Sequence, residues 1–259
     1  MPEYNTILLL GGTTEAYLLA EKFHALGVPV LSSLAGRTSH PKIPVGRYRI
    51  GGFGGVDGLV NTIRTEKIGL IIDATHPFAQ TITDHAWRAA QLSKISYIRY
   101  ERPLWQPMPQ DKWQMVASIE EAVKAIPEHC RCFLAIGRQH LAPFLVRDDV
   151  FFVARMVEKP ENIEQTPNLE IVLSKPQTEE EERKFLIKYY FDCLVCRNSG
   201  GNASFPKLEA ARKLKLPVIM ITRMQRPEIV SFSTEDDVID FVCKFFPRGR
   251  AQMHKATNG

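Results

Sequence analysis

TILLLGGTTEAYLLAEKF, residues 6–23, is the stretch whose reading decides the fold. A short apolar run stops at two glycines, and an amphipathic helical pattern starts almost at once. A strand that feeds a helix through glycine leaves backbone N–H groups pointing outward at the helix start, where a phosphate can be held. The spacing departs from the fingerprint G-x-G-x-x-G, whose three positions here are Gly11, Thr13 and Ala16. Gly11 permits the tight turn, Ala16 is small enough for close helix–strand packing, and Gly12 supplies the missing backbone freedom. Thr13 and Thr14 can cap the helix and offer hydroxyls to a phosphate. A glycine turn that binds nothing would look the same, so the rest of the chain must decide.

Working outward, apolar runs alternate with helical patterns. Strands are expected over 6–10, 28–33, 68–74, 95–100, 130–136, 150–157, 170–174, 192–196 and 217–222. Helices are expected near 14–26, 56–66, 78–93, 118–126, 178–190, 204–215 and 234–246. Runs that are apolar at nearly every position are buried on both faces, as in a parallel sheet covered by helices. The fold class is therefore α/β: two Rossmann-like domains with largely parallel sheets and a cleft between them. The stretch YERPLWQPMPQDKW (100–113), with three prolines and two tryptophans, breaks the rhythm and marks a boundary. That gives a dinucleotide-binding domain over 1–105 and a substrate domain over 106–247; a single large domain is the alternative. Residues 248–259 form a basic tail expected to be disordered.

Composition limits the function classes. The chain has 259 residues, 44% hydrophobic and 24% charged, with a net charge of +4. Arg248, Arg250 and Lys255 of the tail supply three of those charges, leaving about +1 for the rest, so no footprint for nucleic acid exists. No apolar run reaches the roughly 18 residues that span a bilayer, so no membrane partner is expected. The start enters a strand without a signal pattern, which makes a cytoplasmic location the expectation. Five cysteines without such a signal argue against a disulfide framework. Cys193 and Cys196 match C-x-x-C, but on a strand residues three apart face opposite ways, so they are read as buried apolar thiols and no metal is assigned. The acidic run EEEER (179–183) reads as a solvated first helical turn.

The loops at the strand ends carry the chemistry. Sites for NADH place an acid at the end of the second strand, to bond the ribose 2′-hydroxyl. From Val28 to Val45 there is no acid; Ser32, Ser33, Arg37 and Thr38 stand there instead. Hydroxyls and an arginine suit a 2′-phosphate, which favours NADPH with NADH as the second choice. An ordinary loop arginine is the alternative. GGFGGVDGL (51–59) has four glycines in five residues, among them Gly54 and Gly55, and lets backbone approach a ligand. DATHPFAQ (73–80) places Asp73, Thr75 and His76 at the next strand end. In the second half, Arg138 and His140 follow a strand, and Asn198, Ser199, Gly200 and Gly201 form a donor-rich turn beside Lys207. Several such strand ends suggest a substrate with many carboxylates.

The ordered set ILLLGGTTEA, SLAGRT, GGFGGVDGL, DATHPFAQ, RYERPLW, AIGRQHL and SGGNASFPKLEAARKLKLPVIMI resembles the precorrin-6A and cobalt-precorrin-6A reductases of cobalamin biosynthesis, over roughly residues 5–245. The resemblance implies two Rossmann-like domains that exchange a strand, and NADPH or NADH held mainly by the first. It implies reduction of one double bond of the tetrapyrrole, hydride going to one ring carbon and a proton to its neighbour. Gly11, Gly12, Thr13 and Thr14 would hold the pyrophosphate, and Ser33, Ala35 and Arg37 the adenosine side. Gly54, Gly55, Thr75 and His76 would frame nicotinamide and macrocycle, while Arg138, Ser199, Gly200, Gly201 and Lys207 would meet substrate carboxylates. His76, Asp73 and Lys207 are the candidate proton donors. The implied partners are the tetrapyrrole and other corrin-pathway enzymes. A short-chain dehydrogenase would need tyrosine four residues before lysine, and no tyrosine here has that neighbour. A methyltransferase usually carries an acid on the second strand. The remaining rival is a non-catalytic NADP-binding sensor.

Overall fold

The computed structural model describes residues 5–36, 42–157, 166–226 and 228–245. It divides into two compact units, Met1–Arg102 with Arg226–Gly259, and Pro103–Gln225. In the first, β1 (Thr6–Leu10), α1 (Thr14–Ala25), β2 (Val30–Leu34), β3 (Arg47–Ile50), α2 (Gly55–Thr65), β4 (Ile68–Asp73), α3 (Gln80–Ser93) and β5 (Ser96–Tyr100) follow one another. The second holds β6 (Trp113–Val116), α4 (Ile119–Ala125), β7 (Arg131–Ala135), β8 (Phe151–Met156), β9 (Leu169–Leu173), α5 (Glu179–Lys188), β10 (Cys193–Arg197), α6 (Pro206–Lys213) and β11 (Val218–Ile221). The chain then returns to the first unit with β12 (Ser231–Phe232) and α7 (Glu235–Phe245).

The two sheets run β3-β2-β1-β4-β5-β12 and β9-β8-β7-β10-β11-β6. Every ladder in them is parallel. Both therefore have the doubly wound order 3-2-1-4-5-6. In each, the sixth strand comes from the chain that has just left the other unit's fifth: β6 follows β5, and β12 follows β11. The strand exchange implied by the resemblance is a property of the connectivity. It also redraws the linear division. The expected domain 106–247 ends instead at Gln225, because β12 pairs with β5 (Ser231↔Arg99, Phe232↔Tyr100) and brings α7 with it. The tail 248–259 lies outside the described residues.

Sequence period explains the layers. Along β1, Ile7 and Leu9 point to one face and Leu8 and Leu10 to the other; in β4, Leu70 and Ile72 join the first face and Ile71 the second. One face packs on Ala16, Leu19, Ala20 and Phe23 of α1 and on Val238, Ile239 and Val242 of α7. The other packs on Leu59 and Ile63 of α2 and on Ala86, Ala89 and Ala90 of α3. Burial of each large side chain contributes about 1.5–3 kcal/mol, so the returning helix is a substantial part of the first unit's core. All five cysteines are buried thiols outside any disulfide, as expected of apolar side chains. One reading is corrected: within EEEER, Glu182 is 1% exposed. It accepts a bond from Arg155 Nη1 at 2.8 Å and one from the Gln177 N–H at 3.0 Å. Arg155 on β8 draws that acid inward, because a buried guanidinium needs a carboxylate.

Candidate active site

Open doubly wound sheets bind ligands beyond the carboxyl ends of their strands, at the point where strand order reverses. In the first unit that point lies between β1 and β4, and its two loops are tied together. Thr13 is the N-cap of α1: its Oγ1 accepts from the Ala16 N–H at 3.2 Å and donates to the Ala74 carbonyl at 2.8 Å. That hydroxyl is committed to the protein, so it closes the turn instead of offering itself to a phosphate. Thr14, one residue on, is exposed. A Cβ on Gly11 would stand 3.2 Å from Ala16 Cβ, so glycine and alanine together let helix and strand approach. Gly12 has φ +103°, and a Cβ there would meet nothing within 4 Å. Among the described residues, the N–H groups of Thr14 and Glu15 take no protein acceptor. The turn thus presents free donors to open space at the positive end of a twelve-residue helix.

The end of β2 sits beside this turn, since the Gly11 N–H donates to the Ser33 carbonyl at 3.0 Å. Ser32 and Ser33 are buried; the Ser32 hydroxyl has no partner among the described residues, and the Ser33 hydroxyl accepts from Arg49 Nη1 at 3.0 Å. Ala35 is exposed. Arg37 lies outside the described residues. Arg49 was missed in the sequence, because RYRI is a four-residue edge strand, too short for its alternation to stand out. The glycine loop follows directly. Gly54 and Gly55 have φ of +79° and +86°, with no atom within 4 Å of an added Cβ. Gly58, also overlooked, fixes the loop: a Cβ there would lie 1.6 Å from the Phe53 carbonyl oxygen.

At the end of β4, Asp73 is fully buried. Its Oδ1 accepts from the Thr75 N–H at 3.0 Å and the Thr75 hydroxyl at 2.6 Å. Its Oδ2 accepts from the Thr83 hydroxyl at 2.6 Å and the Tyr97 hydroxyl at 2.7 Å. Arg99 Nε stands 3.6 Å away, and its Nη1 pairs with Glu101 at 2.6 Å. Burial and then the Asp73 charge push the Tyr97 hydroxyl far above its ordinary range, so it remains a donor. With four donors around it, this carboxylate orients the loop. Thr75 and His76 are half-buried above it. His76 Nδ1 accepts from the Phe78 N–H at 3.3 Å, which places the proton of a neutral ring on Nε2.

The second unit builds a cationic strand-end cluster. Gly137 (φ +82°) would place a Cβ 3.4 Å from Arg197 Nη2, and Arg138 begins a short 3-10 turn just after it. Burial pulls the Arg197 guanidinium down to about 10. Asn198 exchanges two bonds of 2.9 Å with the backbone of Trp105, and the Trp105 indole donates to the Gly201 carbonyl at 2.9 Å. Ser199 is buried, and Gly200 and Gly201 adopt φ of 67° and 76°. Lys207 is 6% exposed, and its ammonium donates to the Ser204 carbonyl at 2.5 Å and lies 5.0 Å over the Trp105 ring. Burial draws its pKa below the ordinary lysine range. No carboxylate pairs with it among the described residues. Arg138, Ser199, Gly200, Gly201 and Lys207 are thus gathered in one unit, while Gly11–Thr14, Ser33, Ala35, Gly54, Gly55, Asp73, Thr75 and His76 belong to the other. Among the described residues no helix is long and apolar enough to cross a membrane.

Known proteins share this sequence pattern and fold. The family model for precorrin-6x reductase CbiJ/CobK matches residues 6–243. The precorrin-6A reductase of Sinorhizobium sp. is 40% identical over 237 residues, covering 90% of this chain and 91% of the relative. The cobalt-precorrin-6A reductase of Priestia megaterium is 32% identical over 252 residues, covering 90% and 96%. A solved structure of CobK precorrin-6A reductase superposes with a TM-score of 0.88 at 36% identity, covering 95% of this chain and 99% of that one. Reductases of this kind imply a nicotinamide cofactor. The chain belongs to the precorrin-6x reductase CbiJ/CobK family, the oxidoreductases of cobalamin biosynthesis.

Proposed function

We propose that this chain reduces one double bond of the precorrin-6A macrocycle with NADPH, acting on the metal-free tetrapyrrole. The observation that carries the cofactor reading is the β1–α1 turn, where Gly12 faces open space and two helix-start N–H groups find no acceptor among the described residues. These groups fit a pyrophosphate: the helix N-terminus carries roughly half a positive charge. Gly11, Gly12, Thr13 and Thr14 would hold it, with Thr13 acting through its bond to Ala74. Ser33, Ala35 and Arg37 would serve the adenosine side. The open positions at Gly54 and Gly55, with Thr75 and His76, would leave room for the nicotinamide and the macrocycle.

When bound, the reduced nicotinamide supplies a hydride. The chain's own task is to orient the two rings and exclude water, which can lower the barrier by on the order of 7–11 kcal/mol. The proton for the neighbouring carbon would come from solvent, with the His76 ring as a candidate relay that takes a proton back from water as it gives one; Asp73, with four donors around it, holds the loop. Arg138, Ser199, Gly200, Gly201 and Lys207 would receive substrate carboxylates, the buried Lys207 ammonium being a second candidate donor. In this reading the first unit serves the cofactor and the second the substrate. The higher identity to a precorrin-6A reductase than to a cobalt-precorrin-6A reductase supports the metal-free substrate. Anaerobic incubation with NADPH and precorrin-6A should consume NADPH and give a product with two added hydrogens, faster than with the cobalt form. Cofactor binding without turnover would return the sensor reading.

A further inference from the structure

Arg49 contrasts with three arginines that fold back onto the protein, Arg155, Arg147 and Arg212. Arg155 has Glu182, Arg147 has Asp149 and Arg212 has Asp111, each within 2.9 Å. Arg49 has no carboxylate among the described residues. Its Nη1 donates to the Ser33 hydroxyl at 3.0 Å and the Gly51 carbonyl at 2.9 Å, and its Nη2 donates to the Gly52 carbonyl at 2.8 Å. The guanidinium carbon lies 3.8 Å from the centre of the Phe53 ring. A guanidinium has five N–H donors; among the described residues three go to neutral oxygens, which leaves the Nε–H and one Nη2–H.

The place matters as much as the charge. Arg49 is the register partner of Ser33 across the β2–β3 ladder, at the carboxyl ends of both strands. Ser33 in turn binds the Gly11 turn through its carbonyl. The fork is held flat by a ring on one side and by backbone carbonyls along its edge, so little freedom is lost when an anion docks. Partial burial lowers its pKa, as expected for a cation desolvated without a counter-ion.

We infer that Arg49, with the Ser33 hydroxyl, is the residue pair that selects for a phosphate monoester on the adenosine 2′-oxygen, so that Arg49 sets the preference for NADPH over NADH. The inference rests on the dinucleotide reading of the first unit. The bland alternative is an arginine that only braces the glycine loop; it would affect both cofactors alike.

Equilibrium fluorescence titration of the full chain with NADPH and NADH separates the two. Arg49→Gln should weaken NADPH binding about tenfold or more, the worth of a hydrogen bond to a charged group, and leave NADH within about twofold. Arg49→Lys, which keeps the charge but not the fork, should fall between. Equal losses for both cofactors, or no loss, would overturn the inference. Should Arg49→Gln fail to fold, the native protein decides: competition should rank 2′,5′-ADP well above 5′-AMP, and equal competition overturns the inference. If the native protein binds neither NADPH nor NADH, the dinucleotide reading itself fails, and this inference with it.

Discussion

Asp73→Asn should cost stability before it costs chemistry. The carboxylate accepts four short bonds, from the Thr75 N–H, the Thr75 hydroxyl, the Thr83 hydroxyl and the Tyr97 hydroxyl, at 2.6–3.0 Å. Bonds to a charged acceptor contribute about 1.5–3 kcal/mol each and neutral ones about 0.5–1.5, so the amide loses about 1 kcal/mol at each. The hydroxyls of Thr83 and Tyr97 can turn to accept from the new NH2, so these contacts weaken instead of breaking. The amide is also cheaper to bury than the carboxylate, which returns part of the loss. The net is about 2–3 kcal/mol. At roughly 2–4 °C per kcal/mol for a fold of this size, the calorimetric midpoint should fall by about 5–10 °C. Turnover at saturating NADPH should drop only as far as Thr75 and His76 lose their placement. An unshifted midpoint together with abolished turnover would refute the reasoning and make Asp73 a proton-transferring group.

Lys207→Met should flatten the dependence of stability on pH. Because burial lowers the Lys207 pKa in the native state, the unfolded chain binds the extra proton between that lowered value and the ordinary 10.5. Native stability therefore rises with pH across this window. Melting midpoints of the two proteins measured through the alkaline range should converge as pH rises, and parallel curves would contradict the assignment. Truncation after Gln225 should unfold the first unit although it removes none of β1–β5, because Val238, Ile239 and Val242 leave its core. Loss of the first unit's amide protection in hydrogen exchange would show this; unchanged protection would mean α7 is dispensable.

The strands at the centres of both sheets were legible because burial on two faces writes itself as unbroken apolar runs: TILLL, IGLIID and CLVC needed no context. Of the four edge strands only β9, expected over 170–174, was. RYRI and WQMV are four residues long, and β12 only two, so each is too short for a period to emerge and is partly exposed. The exchange of sixth strands was hidden for another reason. The pattern of α7 shows that a face is buried, but not against which sheet. Loop geometry was legible where glycines mark it, at Gly12 and Gly54. Site chemistry was hidden where tertiary pairing decides it: the Thr13 hydroxyl is spent on Ala74, Glu182 turns inward to Arg155, and Arg49 reaches Ser33 across a ladder.

The central claim is that this fold delivers hydride from a bound reduced nicotinamide to a tetrapyrrole carbon. A single turnover under anaerobic conditions, with the cofactor deuterated at one face of nicotinamide C4, tests it directly by mass spectrometry of the product. One deuterium carried into the macrocycle from one cofactor epimer, and none from the other, is the predicted result. A reduced macrocycle free of label from both epimers would contradict the account.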